Sequence, residues 1–162
     1  MRRWWVLLGL VVAAAVVTAV AVALRPDGDV AGGGAGEQGV VVGVVDGDTV
    51  DVAGVGRVRV IGIDTPERGE CGFDEAAEAV TALVLGQTVT LVPGAEDDTD
   101  RYGRLLRYVD VDQTDVGLRL LESGLAAARY DSRDGYGGHP REDAYVRADA
   151  RSEPVCAERG TP

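Results

Sequence analysis

Three regimes of hydrophobic patterning divide the chain. From Trp4 to Leu24 runs an unbroken stretch of 21 residues without a charge, almost all Val, Ala or Leu. From Asp27 to Gly39 no apolar period survives, and Gly, Ala and acids predominate as in a flexible tether. From Val40 onward short apolar runs alternate with turn signals. Val40–Val45 is a β-branched run that stops at Asp46-Gly47, a tight-turn dipeptide. Thr49–Val52 and Arg57–Ile63 read as two more strands, with Arg57 and Arg59 alternating with Val58 and Val60 in the second. Asp74–Leu85 reads as a helix, with Asp74 as N-cap, Glu75 and Glu78 in its first turns and Gly86 beyond its end. Thr88–Val92 is a strand stopped by Pro93-Gly94, and Leu105–Val111 is another. A second helix spans Thr114–Ser123 and a third Arg141–Arg151. No repeat of fixed period is visible. Five short strands around two or three helices predict an α+β fold, a small five-stranded β-barrel of OB type carrying helices.

The first regime bears on compartment. At about 1.5 Å per residue, Trp4–Leu24 just crosses a hydrocarbon core of roughly 30 Å. Arg2 and Arg3 precede it and Asp27 and Asp29 come after it, so the positive-inside rule leaves the N-terminus in the cytoplasm and everything later outside. Trp4 and Trp5 stand where an interfacial aromatic belt would. A cleaved signal peptide with Ala21-Val22-Ala23 as its small-residue site is the competing reading; the stretch exceeds the usual h-region of about 7–15 residues, which favours an uncleaved transmembrane helix. Either version exports the remainder of the chain. The expected organisation is an anchor or signal over 1–25, a linker over 26–39, one folded domain over 40–156 and a short tail over 157–162.

Charge narrows the partners. The 162 residues hold 27 acids and 16 basic residues, all of them Arg, for a net charge of −11. Arg2, Arg3 and Arg25 precede the first acid, Asp27, so the remainder carries −14. A polybasic protein that holds nucleic acid by bulk charge is excluded, and with 46% hydrophobic residues so is a mostly disordered chain. Aromatics are few, which leaves Val, Leu, Ile and Ala to build the core. Cys71 and Cys156 are the two cysteines; in an exported chain they favour a disulfide, with a pair of free thiols as the alternative. Two Cys and the single His139 do not make a tetrahedral zinc site.

Three strand-end clusters carry candidate chemistry: Asp46-Gly47-Asp48-Thr49, then Arg59 through Asp64-Thr65-Pro66-Glu67, then Asp100-Arg101-Tyr102-Gly103-Arg104. Taken singly each has a plain reading. Asp48 is a turn residue, Glu67 a solvated loop acid, Arg59 a solvent-facing strand position and Arg104 an ordinary surface Arg. Taken together, in this order and at compatible spacing, they resemble the thermonuclease (staphylococcal nuclease-like) family over about Val40 to Tyr130.

That resemblance implies an OB-fold, Ca²⁺-dependent phosphodiesterase. It assigns Asp48 and Asp64 to the metal together with the backbone carbonyl of Thr65, hard oxygen donors of the kind Ca²⁺ takes. It makes Glu67 the general base, and it places Arg59 and Arg104 on the phosphate, where a planar guanidinium meets two oxygens at once. Arg101, Tyr102 and Tyr130 then belong to substrate binding, the rings by stacking on bases; as isolated residues the tyrosines read as rim or core. Asp46 stays turn chemistry, or an outer partner of the metal.

Two departures stand out. The segment from Glu67 to the first helix is shorter than in the best-known secreted member and contains Cys71, so a bond to Cys156 changes the cleft rim. An asparagine usual at the start of the second helix is Gly117, at roughly 1 kcal/mol of helix stability. His139, in a Gly-Gly-His-Pro loop, has no partner in the sequence, and Asp97-Asp98 reads as solvated loop. The function expected is a monomeric, exported, Ca²⁺-dependent nuclease acting on DNA and RNA with little sequence preference and leaving 3′-phosphate ends. The alternatives are a non-catalytic OB module binding oligonucleotide, saccharide or protein outside the cell, and a structural calcium-binding domain.

Overall fold

A computed structural model describes residues 36–156 of the chain. The Trp4–Leu24 segment, most of the tether and the 157–162 tail lie outside the described residues. Among the described residues no helix is long and apolar enough to cross a membrane.

The described elements run in the order β1 (Glu37–Asp46), β2 (Thr49–Val52), β3 (Gly56–Val60), β4 (Ile63–Asp64), α1 (Phe73–Val84), β5 (Thr88–Val92), β6 (Leu105–Val111), β7 (Thr114–Asp115), α2 (Val116–Glu122), β8 (Ala127–Ala128), a 3-10 turn over Ser132–Asp134, and α3 (Glu142–Asp149). Strands β3, β2, β1, β5 and β6 lie side by side, and β6 returns to pair in parallel with β3. The result is the five-stranded closed barrel that the pattern of short strands predicts. Strand β1 serves two neighbours: Glu37–Val40 pair with β5, and Val41–Asp46 with β2. Register shifts at Val41/Gly43 and Val44/Asp46 bend it from one partner to the other.

The barrel interior is β-branched and aliphatic, with Val41, Val50, Val52, Val58, Val60, Val89, Leu91 and Val109 buried. Helix α1 covers it with Ala76, Val80 and Val84, and α2 with Val116, Leu120 and Leu121. Each buried Val or Leu among them contributes about 1.5–3 kcal/mol relative to exposure. Two aromatics complete the core. Tyr108 and Tyr145 are its largest fully buried side chains, packed edge to face at 5.9 Å. Tyr145 Oη donates to both oxygens of Asp115, at 2.8 and 3.0 Å, so its buried hydroxyl is satisfied. A Cβ at position 117 would stand 2.6 Å from Tyr145 Oη. Gly117, expected only to weaken its helix, is what admits this tyrosine.

Four boundaries differ from the sequence expectation. Strand β1 begins at Glu37 rather than Val40, because Glu37–Gly39 pair with β5. The strand expected over Arg57–Ile63 is interrupted at Ile61-Gly62, and its continuation, Ile63–Asp64, pairs with β8 instead. Asp74 is not the N-cap of α1; Gly72 is, while Asp74 and Glu75 sit in the first turn, where their charge complements the helix dipole. Thr114 and Asp115 form β7 against β6, and Asp115 then caps α2 by accepting from Leu118 N at 3.1 Å.

Candidate active site

The three clusters face one open cleft of about 770 Å³. Asp48 enters it from the hairpin between β1 and β2, where Asp46 pairs with Thr49 across a two-residue turn. A Cβ on Gly47 would stand 2.7 Å from Ala76 Cβ and 2.9 Å from Thr65 Cβ, so the turn lies flat against α1 and the Thr65 segment only because position 47 is glycine. Asp46 Oδ1 accepts the Asp48 N–H at 3.2 Å, the turn role expected of it.

Asp48 is 7% exposed. Its Oδ1 accepts from Thr49 Oγ1 at 2.9 Å, and its Oδ2 accepts from Thr65 Oγ1 at 3.1 Å and from the Thr65 N–H at 3.3 Å. Burial pushes its carboxyl up to about 6 against the Arg59 charge; nearby Asp46 adds to the rise, and the Thr49 and Thr65 hydroxyls oppose it. The pocket therefore leaves part of this carboxylate's charge uncompensated. Asp64 lies beside it and accepts from Tyr130 Oη at 3.1 Å. The Tyr130 hydroxyl is pushed up by its own partial burial, then by the Asp64 charge and hydrogen bond.

Arg59 does not hang free as a strand-face arginine would. Its guanidinium is 10% exposed and donates to the carbonyls of Val60 at 2.5 Å and Ile63 at 2.9 Å. The same group pairs with Asp48 at 3.0 Å and Asp64 at 3.5 Å, and lies 5.5 Å from the Tyr130 ring centre. Arg104 sits across the cleft. Its Nε donates to Asp100 Oδ2 at 2.6 Å, and its Nη1 reaches Thr49 Oγ1 at 3.3 Å. Thr49 in turn donates to Asp48, so one hydrogen-bonded line runs from Arg104 through Thr49 and Asp48 to Arg59.

Tyr102 is 69% exposed and lies between two arginines, 4.8 Å from Arg101 and 5.5 Å from Arg104. Arg101 Nη2 donates to the Tyr102 hydroxyl at 2.7 Å. Glu67 stands exposed on the cleft rim. The structure thus brings Arg59, Glu67, Arg104, Asp48, Asp64, Arg101, Tyr102 and Tyr130 to one cleft, with Thr65 buried beside Asp48. Cys71 and Cys156 lie away from it and are bonded to each other at 2.06 Å.

With this geometry in view, the family model described as staphylococcal nuclease homologue matches residues 57–154. The chain belongs to the staphylococcal nuclease homologue family. Among similar curated proteins are Protein ParB of Escherichia coli, 36% identical over 109 residues (59% of this chain, 60% of the relative), and the thermonuclease of Staphylococcus intermedius, 33% identical over 103 residues (59% and 61%). The SPbeta prophage-derived endonuclease YokF of Bacillus subtilis is 38% identical over 95 residues (53% and 32%). The chain spans about three fifths or less of the length of these relatives.

The matched region of this nuclease homologue takes in Arg59, Asp64, Glu67 and Arg104 but begins after Asp48, whose place at the site rests on the hairpin geometry. Two residues of the cleft escaped sequence reasoning. Tyr136 stacks edge-on to Tyr130 at 5.5 Å; its one sequence signal is an aromatic residue set between Gly135 and Gly137. His139 shares its Nδ1 with the Tyr108 hydroxyl at 2.7 Å, and burial pulls its pKa down. No sequence spacing joins residues 108 and 139.

For a divalent cation, the donor chemistry fits. Asp48 and Asp64 are hard oxygen donors side by side, and Asp48 is the buried carboxylate whose charge the protein under-compensates. Among the described residues no group of three or more His, Cys, Asp or Glu is arranged to enclose an ion. Oxygens from outside this side-chain pair would therefore supply much of any coordination shell.

Proposed function

We propose that the chain is an exported, membrane-tethered, Ca²⁺-dependent nuclease that hydrolyses phosphodiester bonds of DNA and RNA with little sequence preference. The observation that carries this reading is the line Arg104–Thr49–Asp48–Arg59–Asp64, which gathers two arginines and two carboxylates at one cleft, with Arg59 between Asp48 and Asp64. The names of the relatives, thermonuclease and endonuclease, support the same reading.

Asp48, Asp64 and the Thr65 carbonyl would hold the ion, which when bound supplies positive charge to the phosphate and lowers the pKa of a water. Glu67 on the rim accepts the proton of a water attacking phosphorus; the bond to the 5′-oxygen breaks, that oxygen takes a proton from solvent, and the 3′-phosphate remains on the other fragment. Arg104 and Arg59 donate to the equatorial oxygens as their charge grows, the preorganised stabilisation that removes most of such a barrier. Asp100 holds Arg104 from behind, so the guanidinium need not reorganise during the step. Tyr102 and Tyr130 offer ring faces to bases without reading sequence.

Export and tethering draw support from the apolar Trp4–Leu24 stretch and from the Cys71–Cys156 bond, since disulfides persist in oxidising compartments. The test is incubation of the full-length chain, in detergent, with single-stranded DNA in Ca²⁺ or in chelator. We expect cleavage only with Ca²⁺ and its loss in Arg59→Ala and Glu67→Ala. Absence of Ca²⁺-dependent cleavage, or full activity in either variant, sinks the proposal.

A further inference from the structure

The disulfide lands on the segment that carries Glu67. Thr65 and Pro66 leave β4, residues 67–71 run exposed over the surface, and Gly72 opens α1. Inside this segment the Glu67 N–H donates to Glu70 Oε2 at 2.8 Å, the Glu70 N–H to the Glu67 carbonyl at 2.9 Å and the Phe73 N–H to the Glu70 carbonyl at 3.3 Å. These bonds fold the segment onto itself; among the described residues none of them ties it to the barrel.

The bond to Cys156 does. It spans a sequence separation of 85 and reaches a tail that is itself fixed, since the Val155 N–H donates to the Gly124 carbonyl at 3.1 Å. At the end of α3, Asp149 Oδ2 accepts the Ala128 N–H at 3.2 Å, which fastens the base of that tail to β8. A methyl group on Gly72 would lie 3.2 Å from Pro66 Cγ and 3.5 Å from Cys156 Sγ, so the sulfur and the residue between Thr65 and Glu67 both border the glycine that opens α1. A cavity of about 240 Å³ opens between the tail and the back of Asp64, Thr65 and Pro66. Without the bond the segment has room to move toward it.

We propose that the Cys71–Cys156 disulfide positions Glu67: it fixes where the base stands relative to Asp48 and Asp64, and so governs turnover rather than substrate binding. This rests on the nuclease reading above. Reduction by a dithiol breaks the sulfur–sulfur bond; the dithiol supplies two electrons and two protons, one of each to either sulfur, and closes into its own disulfide. The Arg104–Tyr102 side of the cleft, held by Asp100, is untouched by that change. Substrate contacts survive while the proton acceptor drifts. A shift on the order of 1 Å in a reacting group can lower a rate about 100-fold.

The experiment compares oxidised, dithiothreitol-reduced and reoxidised full-length chain, with free thiols counted by mass after alkylation and folding followed by circular dichroism at the assay temperature. A Cys71→Ser/Cys156→Ser double variant runs beside them without reductant. With single-stranded DNA and saturating Ca²⁺, we expect kcat to fall at least about tenfold on reduction while KM stays within about threefold, with recovery on reoxidation. Equal kcat in folded reduced and oxidised chain, a change confined to KM, or unfolding of both reduced chain and double variant overturns the positioning role. An oxidised chain that cleaves nothing in Ca²⁺ instead refutes the nuclease reading, so the two failures are told apart.

Discussion

Two aspartate–arginine pairs face each other across the cleft, built from the same side chains with opposite electrostatic outcomes. Asp48 and Arg59 are both about 10% exposed in their side chains, and burial drives the Asp48 carboxyl up to about 6. Asp100 and Arg104 are less enclosed, at 17% and 27%. For Asp100 the upward push of partial burial is outweighed by hydrogen bonds from the Arg104 guanidinium and from the Arg104 and Tyr102 backbones, and its pKa falls. One pair is content as an ion pair. The other is not: burial of Asp48 outweighs the charge of Arg59, whose donors are shared among two carbonyls and two carboxylates. A buried carboxylate left partly uncompensated attracts a cation, whereas a fully satisfied one serves as a fixed support for its arginine.

The largest expected effect separates the arginines. Arg104→Ala should lower kcat by about 100- to 1,000-fold while shifting the unfolding free energy by no more than about 1 kcal/mol, measured by steady-state assays beside urea melts. Arg59→Ala should match that loss of activity and also destabilise by about 3 kcal/mol, since it strands buried partners. Equal melting of the two variants would erase the distinction.

Next in size, the aspartates should differ in sign. Asp48 has a raised folded pKa, so in chelator it lowers stability above about pH 6 and this penalty fades as pH falls toward the unfolded value near 3.8. Asp48→Asn in chelator should therefore lose less stability between pH 4.5 and pH 7 than the wild type, because the charge that burial opposes is gone. Asp100 has a depressed folded pKa; its stabilisation is complete above the unfolded value near 3.8 and is lost as pH drops through the folded one. Asp100→Asn should accordingly lower stability at pH 7, by about 1 kcal/mol. Melts at pH 7 and pH 4.5 with and without Ca²⁺ check Asp48, melts carried down to pH 3 check Asp100, and Ca²⁺ should stabilise the wild type but not Asp48→Asn.

The smallest effect tests the fork geometry at Arg104. Arg104→Lys keeps the charge but not the paired donors, and we expect a loss of about tenfold in kcat with KM little changed. Activity equal to wild type would mean that charge alone suffices there.

Much of this was legible in the sequence, and the limits are physical. Strand-end motifs such as Asp46-Gly47-Asp48-Thr49 and Asp64-Thr65-Pro66-Glu67 are local: turn chemistry and side-chain identity travel together, so their place at the barrel mouth follows from the strands. Strands β7 and β8 have two residues each and leave no periodicity to read. Arg59 alternates with valines like any solvent-facing residue, yet the break at Ile61-Gly62 turns the carbonyls of Val60 and Ile63 to its guanidinium and buries it. Tyr136 and His139 reach the cleft through the irregular chain after Tyr130, where contacts to Tyr130 and Tyr108 depend on tertiary packing. Gly117 looked like a weakness because helix propensity counts only the helix, and Tyr145 comes from α3.

The parallel seam that joins β3 to β6 has a bearing on the order in which the protein gains its chemistry. Val58 pairs with Leu105 and Arg59 with Leu106, so Arg104 meets Thr49 only after that seam has zipped. Contacts between segments this distant in sequence come late in folding, because the loop entropy is spent before they repay it. A chain that reaches only the end of α1 carries Asp48, Arg59, Asp64 and Glu67 but neither Arg104 nor the Asp100 that holds it. On the proposed nuclease reading, a chain that has not closed this seam lacks one of the two arginines that would meet the phosphate.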